Sequence, residues 1–442
     1  MDAYRLFLFS PTKEILMSTK NFFLACAVII ALAFVACETE PEHVHQWGSW
    51  SIVTPATCTT AGSETRTCKL DSSHTDTQEI AIDPDAHDYQ WTQTTKPTRG
   101  AEGEEKGVCT HDPSHTTTRT ITRLSPYIIT GSGTTFTVTA DGETITNGTG
   151  AIADVITAIR TDANGDPVTI QFGDGTSALD IGTASASFNN TDGTWGAIIL
   201  TGKITSANVG SSTRGTVNIG GGVSVNSTAD IANTGTDSTN STAIYQSGAN
   251  TNTIISGGTV SGGTAIAVYI TSNSGNITIS GTAMVTSANT SNSTPLGTIY
   301  NYGSVTITGG TVQNTGNNGT TVYDASGATV TISGGTVSAT GSNGNAVGTF
   351  NTVTLSGNPE ITGWINLYNS AGGSKLSLSN FNPTTDRVYT LNFATNTADR
   401  VAVTGGANFI NNFALPASQQ TSWKLAVGTG DNSNDLVLAS NP

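Results

Sequence analysis

The residues able to do chemistry crowd into one stretch of this chain. All six histidines fall between His43 and His115 (His43, His45, His74, His87, His111 and His115), and three of the five cysteines, Cys58, Cys68 and Cys109, lie among them. Thiols and imidazoles at short spacing suit two uses, a disulfide staple or a metal centre. Cys58 and Cys68 bracket a predicted hairpin, CTTAGSETRTC. A disulfide there would hold a module too small to bury a core. Zinc is the competing use, since Cys68 with His74, or Cys109 with His111 and His115, offers ligands a few residues apart. No paired CxxC accompanies them. The assignment taken is therefore a Cys58–Cys68 disulfide, with no metal ligand and no cofactor.

Beyond residue 123 reactive groups are scarce. Between Gly215 and Ser374 the only charged side chains are Asp230, Asp237, Asp324 and Glu360, and the span holds no Lys, Arg or His. Glycoside cleavage needs two carboxyl groups facing one bond, and an enzyme site in general needs acids and bases brought together. These acids are separated and lack a base, so no catalytic residue is assigned. DANGDP, Asp162 to Pro167, has Pro167 where a calcium loop needs Gly, and is read as a turn. A net charge of −15 excludes a nucleic-acid partner, which needs clustered Lys and Arg. Tyr245, Tyr269, Tyr300, Tyr302 and Tyr323 recur at one phase of a repeat. They are the expected contact residues: an aromatic strip stacks on sugar rings or buries against a partner protein, unless the rings turn to the core instead.

The elements that position these residues are repeats. Trp50, Gly62, Cys68, Asp71 and His74 recur as Trp91, Gly103, Cys109, Asp112 and His115, an offset of 41, so residues 43–123 hold two copies of a small β module. Arg99 stands in the second copy where the first has Cys58. Between about 124 and 442 the composition shifts to Thr, Gly, Ser, Asn, Val and Ile. VTISGGTV (Val330–Val337), VTITGGTV (Val305–Val312) and TIISGGTV (Thr253–Val260) repeat, with aligned Ile219, Ile255, Ile279, Ile307, Ile332 and Leu355. Each repeat holds about three short strands parted by Gly, Asn and Ser, the anatomy of one coil of a parallel β-helix. Ile152, Val155, Ile156 and Ile159 form one helical stripe, predicting a capping helix at about 150–160. Longer strands at about 375–442 are expected to cap the far end.

The fold class expected is all-β: a right-handed parallel β-helix with a short N-terminal capping helix, preceded by the two modules and a signal peptide. The repeat region loosely resembles the pectate-lyase-like β-helices of surface adhesins and polysaccharide-active enzymes. That resemblance implies adhesion or carbohydrate and host-matrix binding, or alternatively a polysaccharide lyase or glycoside hydrolase of this class. The module resembles short Trp/Cys/Gly repeats found near the start of bacterial surface proteins, where a spacer or stalk is the expected role. At the amino terminus, Asn21 to Cys37 is an apolar run behind Lys20 that fits a signal-peptide core. It ends in FVAC, which resembles the lipobox of bacterial lipoproteins, with Phe34 where Leu is usual. The resemblance implies that residues 1–36 are a signal peptide (Met17 being the better start), that Cys37 is lipidated, and that 37–42 are a tether. The partners expected are thus a membrane through the lipid, with a glycan or a host or neighbour-cell surface protein. The location expected is the bacterial cell envelope at the outer-membrane surface.

Overall fold

The computed structural model describes residues 44–441 apart from 191–193, 211–214, 238–239, 272, 274, 291–295 and 370–372. Cys37 and the signal-peptide reading lie outside the described residues. The chain divides into two compact units: residues up to Gln90 with Val108–Thr116, and Trp91–Gly107 with Thr117 onward.

Each module copy folds as three antiparallel strands in chain order, Ser51–Thr54, Gly62–Thr67 and Thr75–Ile80 in the first, Tyr89–Thr95, Gly103–Cys109 and Thr116–Ile121 in the second. The strands are too polar to bury a face. Ile52, Val53, Leu70 and Ile82 all point to solvent. Among the described residues from 44 to 123, the buried apolar side chains are Cys58, Cys68 and Cys109. Trp47 and Trp50 are covered by a cation instead: the Arg66 guanidinium lies 5.0 and 4.4 Å from their rings and donates to Asp76 at 2.6 and 2.9 Å.

From Tyr127 onward the fold is a parallel β-solenoid of about nine turns. Each full turn lays one strand on each of three faces, and one turn shows the logic. Thr320–Asp324 lies on the third face, Thr329–Ile332 on the first and Thr336–Ala339 on the second. VTISGGTV is thus two faces and the corner between them. Alternation sends Val330 and Ile332 inward and Thr331 and Ser333 outward. The inward residues stack on like residues: Val305, Val330 and Val353 in one column, Ile255, Ile279, Ile307, Ile332 and Leu355 in the next. Ile219 belongs elsewhere. It lies on the third face opposite Gln246, while Ser227 is the partner of Ile255. The longer interval after Ile219 is a change of face. At the corner Gly310 and Gly335 take φ of +69° and +70°, and a Cβ on Gly335 would sit 2.6 Å from the Gly310 carbonyl oxygen. Only glycine combines that backbone with that approach.

The two ends are built differently from the middle. Three antiparallel strands, Tyr127–Ser132, Thr135–Ala140 and Glu143–Gly150, lead into Ile152–Ala163, the one helix longer than a turn or two among the described residues. Its Ile152, Val155, Ile156 and Ile159 enter the same apolar core as Phe136, Phe172 and Phe188. Asn164 ends it in the left-handed region at φ 47°. At the far end Val401–Thr404 pairs antiparallel with Leu436–Ser440, which pairs antiparallel with Trp423–Val427. This ends the parallel ladder of the first face in an antiparallel hairpin.

Candidate functional site

The outward-facing position in the middle of the third face forms one row along the solenoid. In register it reads Ser187, Asn218, Tyr245, Tyr269, Tyr300, Tyr323, Gly348, Asn366 and Asn392. Neighbouring strands of a sheet lie about 4.8 Å apart, so the rings are brought into contact by the ladder itself. Ring centroids are separated by 5.6 Å for Tyr245–Tyr269, 5.0 Å for Tyr269–Tyr300 and 5.0 Å for Tyr300–Tyr323. The first two contacts are edge-to-face, the geometry the ring quadrupole favours. Tyr302, on the turn after the same strand, adds a hydroxyl 3.2 Å from that of Tyr300.

Four of the five expected tyrosines are half-exposed, and Tyr323 is not. It is 6% exposed because Phe350 and Tyr368 fold over it, with centroids 6.2 and 6.3 Å away. Gly348 makes room, since a Cβ there would meet the Tyr368 hydroxyl oxygen at 2.6 Å. Phe350 and Tyr368 thus continue the strip, and the repeat phase alone gave no sign of them, because each sits two residues past the row, on a turn. Burial and the neighbouring hydroxyl of Tyr302 push the Tyr300 phenol well up, and burial pushes Tyr323 up to about 12. Both are neutral hydroxyls at ordinary pH. Amides of Asn218 at one end and of Asn366 and Asn392 at the other, the last two joined at 3.2 Å, frame the aromatic strip.

Asp324, the acid nearest this strip in sequence, points the other way. It is fully buried and accepts hydrogen bonds from Asn301 Nδ2 at 3.2 Å, Thr349 Oγ1 at 2.8 Å and Asn351 Nδ2 at 2.9 Å. Burial pushes its carboxyl up, against those three donors. Asp230 accepts the Thr259 N–H at 2.8 Å and lies 3.8 Å from Lys203, and Asp237 accepts from Asn240. A groove lined by Thr146, Asn147, Thr157 and Thr161 runs beside the helix, and its two acids are engaged: Asp154 by the Ala151 N–H at 3.2 Å, Asp162 by the Tyr127 hydroxyl at 2.6 Å. DANGDP is the end of the helix and a turn.

The cysteines are arranged differently from the expected bridge. Cys58 and Cys109 are free thiols, and Cys58 Sγ lies 3.6 Å from Cys109 Sγ, in the next copy of the module. The reason is in the backbone. Cys58 N–H donates to Ala86 O and Asp83 N–H to Thr57 O, so this corner of the first copy folds onto the segment leading into the second. The Arg99 corner does the same one repeat later: Leu124 N–H donates to Thr98 O, and Arg99 donates to Ser125 O and Asp141, both at 2.7 Å, over the Tyr127 ring. The corner serves the element that follows it, which is why Arg99 replaces Cys58 without loss to its own copy.

Compared with family models, curated proteins and solved structures, the chain matches none. Among the described residues no helix is long and apolar enough to cross a membrane.

Proposed function

We propose that this is a non-catalytic surface protein of the bacterial cell envelope, anchored at the outer membrane by lipid on Cys37, which presents the solenoid for adhesion by binding carbohydrate or host matrix. The observation that carries the reading is the in-register row Tyr245, Tyr269, Tyr300 and Tyr323, extended by Tyr302, Phe350 and Tyr368. A row of rings with neutral hydroxyls, framed by amides, offers sugars both stacking faces and donors. A soluble rod gains nothing from lining its outside with tyrosine, and a free edge of aromatic surface is what a partner buries. The seclusion of Asp324 supports binding over turnover, because the one acid beneath the strip cannot reach a bond outside it.

The test is a glycan and matrix-protein array probed with the whole mature chain. Binding by the wild type is expected to weaken about 2–10-fold in Tyr269→Ala and again in Tyr300→Ala, from the worth of single aromatic contacts. Binding that ignores both substitutions would sink the assignment of the strip. Release of product from any glycan would sink the non-catalytic reading and favour a lyase or hydrolase.

A further inference from the structure

The module has no apolar core, yet both copies hold their shape around the same side chains. In the second set three metal-binding residues, Cys58, His87 and His115, converge, and Cys109 lies against Cys58. Cys58 Sγ and one ring nitrogen each of His87 and His115 lie within 4.8 Å of one another, and Cys109 Sγ is 3.6 Å from Cys58 Sγ. The His87 and His115 rings meet edge-to-face with centroids 4.9 Å apart. Cys109 is 1% exposed. The Nδ1 atoms of His87 and His115 are shut off from solvent and have no hydrogen-bond partner. Two buried thiols in contact, with two buried, unpartnered imidazole nitrogens beside them, would be costly without something there to bind them.

We infer that Cys58, His87, Cys109 and His115 form a structural zinc site of the Cys2His2 type that joins the two copies of the module. The spacing fits the metal. Zinc–sulfur bonds of about 2.3 Å in a tetrahedron put two thiolates about 3.8 Å apart, whereas a disulfide needs about 2 Å. Four protein ligands close the site, as structural zinc requires, and mixed thiolate and imidazole donors select zinc over the hard cations. The surroundings prepare the ligands. Cys109 N–H donates to His115 O at 3.0 Å, closing a loop that aims both side chains inward. Asp112 lies 3.7 Å from His115 Nε2, the carboxylate behind the imidazole that orients such ligands.

The first copy carries a matching arrangement. Cys68 N–H donates to His74 O at 2.9 Å, Asp71 lies 3.9 Å from His74 Nε2, and the His45 and His74 rings are 4.9 Å apart. In the second set Cys58 reaches forward across the repeat to lie against Cys109. His111, in contrast, is exposed.

The test is metal analysis and native mass spectrometry of the full chain purified without chelator. At least one tightly held zinc per chain is expected, lost in Cys58→Ser and in Cys109→Ser and kept in Cys68→Ser. Cobalt in place of zinc should give a thiolate charge-transfer band and the intense visible bands of a tetrahedral site. Cys58→His, a conservative swap, should keep the metal and weaken the charge-transfer band, which separates ligation from a folding defect. Asp112→Ala should lower affinity about 10–100-fold. A metal-free chain whose Cys58 and Cys109 are joined as a disulfide would overturn the inference, as would zinc retained in Cys109→Ser.

Discussion

The two regions solve the same problem from opposite ends. The module is rich in Cys, His and Arg and buries almost no hydrocarbon, whereas the solenoid is nearly empty of charge and buries Val and Ile on every turn. A small sheet that cannot cover a core has to be held by strong, directed contacts, such as Arg66 on Asp76 and the Cys/His set. A solenoid needs none, because each turn covers its neighbour and stability accumulates through repeated interfaces. Chemistry-bearing residues therefore mark where the fold is weakest in hydrophobic burial, and they need not mark where the protein acts. The surface that carries the proposed binding is the uncharged region's tyrosine row.

The largest expected effect follows from removing metal. In structural zinc domains the binding free energy is the folding free energy, on the order of 10 kcal/mol. A strong chelator should therefore open the module wholesale, so that trypsin cuts at Arg66 and Lys69, while the solenoid fragment survives. Equal resistance of both regions, or equal loss, would break the contrast. The solenoid should respond instead to the loss of one inward side chain. Ile332 is fully buried between Ile307 and Leu355, and Ile332→Ala should cost about 2–5 kcal/mol, read as a lower thermal midpoint of the chelator-treated and untreated chain alike. If the module's protease sites opened in this variant while the solenoid stayed closed, the two regions would not be held by separate means.

Most of the solenoid was legible in the sequence, for a physical reason. Val330 and Ile332 reappear one turn on as Val353 and Leu355 because stacking demands the same shape at the same place, so the fold writes itself as a repeat. The tyrosine row was legible for the same reason, since Tyr269 and Tyr300 are partners in one ladder. What the phase could not reveal were the rings off the ladder, Phe350 and Tyr368, which reach the strip from turns of unequal length. The module was misread at Cys58. Proximity in sequence pairs it with Cys68, but the Thr57–Cys58 corner bonds to Asp83 and Ala86, which carries the thiol to the next copy. The matched Cys68/His74 and Cys109/His115 spacing was the available signal. Reading each copy as self-contained hid the partner one repeat away.

The smallest expected effect concerns Asp324, the one buried carboxyl among the described residues. Burial raises the folded pKa of Asp324, and the donors Asn351, Thr349 and Asn301 offset only part of that rise. An unfolded aspartate titrates near 3.9. Between that value and the higher folded one, the unfolded chain has released its proton and the folded chain still holds it. Asp324 therefore favours the folded state most below about pH 4, and that contribution is lost as pH rises through the folded value. Asp324→Asn keeps the shape and cannot titrate. The thermal midpoint of the wild type relative to Asp324→Asn should fall as pH is raised from about 4 to 7, whatever fixed offset the lost acceptor introduces. A difference that rises over that range would mean that the three donors outweigh burial and hold the carboxylate charged. In that case the charge-poor region would hold a buried charged anchor of the kind the module relies on, and the contrast between the two would be one of degree.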